Sequence, residues 1–131
     1  MLFKCKHGNK LRIDEHTHID FLWPKKDLIH ENVLNNNSIV CKLSYRSFSI
    51  LFTGDIEEIA EKQIVNLYSS SVLNSKVLKV AHHGSKSSSI DAFISKVNPQ
   101  ITLIGVGENN KFGHPNDAVI ERLQILRSKD L

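Results

Sequence analysis

Four stretches carry side chains whose type and spacing could do chemistry. In "ILFTGDIE" a hydrophobic strand runs straight into Thr53-Gly54-Asp55. Gly54 permits a tight turn, and a carboxylate aimed from a strand end can bridge two metal ions. The same Asp55, with Glu58 three residues on, also spells a capping box, in which it would close a helix start. "LKVAHHGSKSSS" delivers His82 and His83 at the end of a buried strand. Imidazole is the commonest metal ligand and exchanges protons near neutral pH. Two adjacent histidines there are not needed for packing, although structural hydrogen bonding would also hold them. "GVGENNKFGHPND" frees the backbone at Gly105 and Gly107 and sets His114 at a helix start. A ligand and a cap-like histidine both fit that position. The fourth stretch, "EHTHID", places His16, His18 and Asp20 in an H-x-H-x-D pattern. On a strand these three side chains would share one face; on a loop they could converge on metal.

The elements that must position these residues fall into two rhythms. The first part of the chain is strand-like. "LFKCK" and "LRID" read as a hairpin around Gly8-Asn9, and "IDFLW" as a strand stopped by Pro24. The polar stretch 25–37 reads as the longest loop. "SIVCKLSY" and "SFSILFTG" pair around Arg46. From Asp55 onward the period becomes helical. In "DIEEIAEKQIVNLYS", Ile56, Ile59, Ala60, Ile64 and Leu67 share a face. "VLKVA" is a buried strand. "SSSIDAFISKV" is a helix for which Ser87, Ser88 or Ser89 can supply the cap, and Pro99 ends it. "ITLIGV" is a strand, and "PNDAVIERLQILRS" a last helix with Pro115 in its first turn. A β-rich part followed by α-β-α-β-α predicts an α/β fold: a mixed sheet with helices on one face. Ligand chemistry in such folds collects in loops beyond strand ends.

The bulk numbers set limits. The 131 residues suffice for one domain with a modest core. A net charge of +3 is too weak to argue for nucleic acid by itself, though it permits an acidic substrate. Seven histidines are many for this length and justify a search for metal ligands. Cys5 and Cys41 form no C-x-x-C pair and read as buried, reduced thiols. No run approaches the ~18 apolar residues of a membrane span, and "MLFKCKHGNK" has no signal-peptide core.

"NNNSIVCKLSYRSFSILFTGDIE", "LKVAHHGSKSSS" and "NKFGHP" together resemble the carboxy-terminal hydrolase-like domain of the ComEC competence proteins. The resemblance runs from about Asn35 to Arg127 and keeps the three motifs in the family's order. It implies the metallo-β-lactamase fold, a four-layer αββα sandwich built from two halves. It implies metal-assisted phosphodiester hydrolysis with Zn or Mn, in a parent protein that is membrane-associated and acts in DNA uptake. By that resemblance Asp55 is a bridging metal ligand. His83, with His82, binds metal or serves catalysis at the leaving group, and His114 supplies a further ligand. The family's H-x-H-x-D-H loop follows a buried apolar strand, whereas "EHTHID" follows the polar "LRIDE" and has Phe21 in the sixth place. The strand reading of "EHTHID" is therefore preferred.

The chain then corresponds to the second half of the parent domain, with the first half and its main ligand cluster absent. Three expectations follow. The isolated chain binds metal weakly or not at all and is inactive by itself. Its partners are the missing half-domain or, through the sheet face that half would cover, a second copy; DNA is possible. Lys79, Lys86 and Lys111 flank the loops and could contact phosphate, although surface lysines are ordinary. Two other functions compete: a non-catalytic interaction domain, and a stand-alone hydrolase of a small ester or phosphodiester.

Overall fold

The computed structural model describes Leu2 and residues 4–128, with side chains as far as Leu126. Six strands form one mixed sheet, ordered in space as they are in the chain. β1 (Lys10–Arg12), β2 (Thr17–Trp23), β3 (Val40–Tyr45) and β4 (Phe48–Phe52) make an antiparallel meander. β5 (Val77–Lys79) and β6 (Ile101–Leu103) then join parallel to β4. A short α1 (Val33–Asn36) lies between β2 and β3. α2 (Glu58–Leu67) and α3 (Ser70–Leu73) connect β4 to β5, α4 (Asp91–Val97) connects β5 to β6, and α5 (Asp117–Ser128) follows. Both parallel crossovers step the same way across the sheet, so their right-handedness puts α2 and α4 on one face. There α2 packs on α4, and α4 on α5.

Strand alternation then sorts the side chains. Leu51 of β4 and its neighbour Leu78 of β5 point into the helical layer and are fully buried. They join Ile56, Ala60 and Ile64 from α2, Phe93, Ile94 and Val97 from α4, and Val119 from α5. Trp23 is fully buried as well, and its indole N–H donates to the Asn36 carbonyl at 2.7 Å. That bond fastens the expected loop 25–37, which contains the helical turn α1, to the core. The opposite sheet face carries Leu11, Tyr45, Phe48, Phe52, Ile101 and Leu103, aligned across the strands by the pairing register. Each is exposed; Phe48 is 44% and Leu103 49% accessible. One face of the sheet is thus packed and the other is apolar and open.

Several expectations need correction. Of the strand expected at 2–6, Phe3 lies outside the described residues, and residues 4–6 form no strand. The hairpin turns at 13–16 instead, because the Asp14 carboxylate accepts from the His16 N–H and the Thr17 hydroxyl. Cys5 and Cys41 are free but half-buried, since Cys41 sits opposite Phe52 on the uncovered face. Among the described residues no helix is long and apolar enough to cross a membrane.

Candidate functional site

β4, β5 and β6 run in the same direction, so the three motif loops leave one end of the sheet. The first is set by Thr53, whose buried hydroxyl donates to the Lys79 carbonyl at 2.6 Å and ties the end of β4 to β5. Gly54 follows with φ +53, and a Cβ there would stand 2.7 Å from the Ser38 Cβ. Only glycine fits that approach without displacement. Asp55 then turns outward, with its N–H on the Ser38 hydroxyl. The capping box does not form: α2 starts at Glu58, Glu57 is the residue before it, and no side chain caps it. The Asp55 carboxylate is not used to close the helix.

The second loop is a single turn, Ala81–Gly84. His82 (φ 47), His83 (φ 55) and Gly84 (φ 77) are left-handed in succession. This costs L-residues roughly 1–2 kcal/mol each, so the surroundings must enforce it. They do so from both sides. The His82 N–H donates to the Gly54 carbonyl at 3.0 Å, and the Gly84 carbonyl accepts from the Asn116 N–H at 2.9 Å. A Cβ on Gly84 would meet the Pro115 Cβ at 2.8 Å. The three loops are therefore locked to one another.

This locking brings Asp55 and His83 together, with His83 Nε2 3.6 Å from Asp55 Oδ1. His83 Nδ1 lies 2.5 Å from the Gly105 carbonyl. A carbonyl only accepts, so Nδ1 carries the hydrogen, and in the neutral ring Nε2 presents a lone pair toward the carboxylate. Two donor atoms facing each other suit a proton or a cation between them. His114 is not part of that pair. Its ring meets His82 edge to face at 5.7 Å and stacks on Phe112 at 5.8 Å. His82 in turn stands with Nδ1 3.4 Å from Glu57 Oε1 and Nε2 3.5 Å from the Asn35 amide. Its Nδ1 is buried without a well-formed hydrogen bond.

A structural zinc takes four protein ligands, and a catalytic one about three. Among the described residues, no group of three His, Cys, Asp or Glu side chains could hold a metal ion. Asp55 and His83 fit as part of a donor set, and among the described residues they fall short of the ligand count that zinc or manganese takes. "EHTHID" does not supply the remainder. His16 sits in the turn before β2, and His18 pairs with Asp20 at 3.3 Å along that strand. Lys10 engages Asp20 as well, two strands away from β4.

Sequence reasoning missed the supporting carboxylates. Glu57 accepts from the Asn32 amide and the Ser87 hydroxyl and stands beside His82. Glu61 is wholly buried in α2 and accepts from the N–H groups of Ser89 and Ile90 at 2.6 and 2.8 Å. It, and not a serine, closes the start of α4, where no side chain of the local loop caps the helix. Burial pushes the Glu61 carboxyl up to about 7, against the opposing pull of those two N–H groups and of Arg122. Period alone gave no signal for either: Glu57 precedes α2, and Glu61 lies off the stripe of Ile56, Ile59, Ala60, Ile64 and Leu67.

No protein-family model matches the chain. Curated proteins do. It is 37% identical over 90 residues to "ComE operon protein 3" of Bacillus subtilis, covering 69% of this chain and 11% of that protein. It is 33% identical over 90 residues to "Competence protein ComA" of Neisseria gonorrhoeae, covering 69% and 13%. It is 33% identical over 94 residues to "Recombination protein 2" of Haemophilus influenzae, covering 72% and 11%. This is a mixed α/β chain distantly homologous to bacterial competence-associated proteins, and it spans only about a tenth of their length.

Proposed function

We propose that the chain is the carboxy-terminal half of a metallo-β-lactamase-like domain of the ComEC type, and that the whole domain hydrolyses phosphodiester bonds in connection with DNA uptake. The observation that carries this reading is the locked convergence of the Asp55, His82–His83 and His114 loops at one sheet end. In this reading Asp55 and His83 contribute to a metal centre. The remaining ligands come from the half-domain that would cover the open sheet face. Similarity to competence proteins supports the link to DNA uptake.

A Zn²⁺ and Mn²⁺ titration of the purified chain tests the assignment. Weak binding is expected, lost in Asp55→Ala and kept in His16→Ala/His18→Ala. Binding lost only in the double histidine variant would overturn it, because the metal would then sit on "EHTHID".

The uncovered sheet face favours a second reading, in which the isolated chain is an interaction module that pairs with a second copy of itself. At ~4.8 Å between strands and ~3.3 Å per residue, six strands about five residues long present roughly 450 Å² in projection. Contiguous apolar patches of a few hundred Å² can mark interaction sites, and two such faces together, at about 900 Å², match a weak, transient interface.

A further inference from the structure

Phe112 is the most exposed aromatic ring among the described residues, at 81%. It does not belong to the open sheet face; it stands beyond β6 in the loop that carries His114. The loop that holds it is braced. The Asn110 side chain accepts from the His114 N–H at 3.0 Å and donates to the His114 carbonyl at 2.7 Å and the Gly107 carbonyl at 3.3 Å. This clamp spans Phe112, so the ring is held out into water by a built turn. One side of the ring rests on His114, 18° from parallel. An accessibility of 81% leaves its other side open. Behind it the series continues, since the edge of His114 meets His82, which neighbours the Asp55–His83 pair.

We propose that Phe112 is a stacking platform for a nucleobase of single-stranded nucleic acid. A flat ring with one open face accepts any base, because every base has a π-face. A base stacked there would lie on the outer side of Phe112, in the same loop as His114, whose ring meets His82 beside the candidate site. The loop's own charge contributes little, because Lys111 is offset by Glu108. The Phe112 contribution should therefore be insensitive to salt, unlike contacts to phosphate. The proposal rests on the phosphodiester reading only for the class of ligand; its readout is binding.

The test is fluorescence anisotropy of the full chain with a labelled oligothymidylate and with an abasic strand of the same backbone. Phe112→Ala should weaken the oligothymidylate about 5- to 150-fold. It should leave the abasic strand unchanged, and Phe112→Trp should restore binding. Equal loss on both strands, no loss on either, or no binding by the unaltered chain would each overturn the proposal. So would a Phe112→Ala chain whose sedimentation changes while its oligonucleotide binding does not, since the ring would then belong to a protein interface. Selective loss without any metal-dependent cleavage would keep the platform and remove the hydrolase reading.

Discussion

Replacing Glu61 by glutamine should remove a pH dependence from the stability of the fold. Glu61 is fully buried between α2 and the serine loop, and its carboxyl is raised from 4.5 to about 7 by that burial. A raised acid binds its proton more tightly in the folded chain than in the unfolded one. The stability it contributes is therefore complete below about 4.5 and is lost as pH climbs through about 7. Some 2.5 units at 1.36 kcal/mol each give a loss of about 3 kcal/mol across that window. That is a large part of the 5–15 kcal/mol that typically holds a domain together. The assay is urea unfolding at a series of pH values for both chains. Subtracting one curve from the other cancels the histidines, which titrate in the same range. The wild type should lose about 3 kcal/mol relative to Glu61→Gln between pH 4.5 and 8. Parallel curves would overturn this prediction. They would mean that the N–H groups of Ser89 and Ile90 hold the carboxylate ionised throughout, and that hydrogen bonding outweighs burial at this site.

Other outcomes follow from the same contacts. Gly84→Ala puts a methyl group 2.8 Å from Pro115 at φ +77, so urea unfolding should show a loss of about 2 kcal/mol or more. Histidine NMR signals of the loop should shift with it. Asp55→Ala should change stability by less than about 0.5 kcal/mol, because Asp55 is half-exposed and caps nothing; a cap would cost about 1 kcal/mol. Phe48→Asp/Phe52→Asp, on the open sheet face, should keep the fold by circular dichroism and shift sedimentation toward monomer. A wild-type chain that is already monomeric at tens of micromolar would remove the self-pairing reading.

Most of the framework could be read without coordinates. Ile56, Ala60 and Ile64 announce their face by helical period alone, and Pro24 and Arg46 mark the ends of their strands. The strand reading of His18 and Asp20 also follows from local pattern, and β2 runs through both. Boundaries were less legible. The serines at 87–89 and Asp55 look like caps because capping is a local rule, yet the partners that decide it are remote. Glu61 comes from a neighbouring helix to close α4, and Ser38 takes the Asp55 N–H.

The available chemistry is written along the chain: a carboxylate after one strand, two histidines after the next, and a third histidine after the last. Their order in a parallel β4-β5-β6 run already sends the three loops to one end. Which of these side chains meet is set by packing between distant segments. It pairs Asp55 with His83, turns His114 toward His82 and Phe112, and brings Glu57 beside His82. The reason is physical. Periodicity fixes a side chain's face, but the aim of a loop is set by the left-handed turn at His82–Gly84 and by the close approach of Pro115. Both depend on backbone packing between segments far apart in the chain.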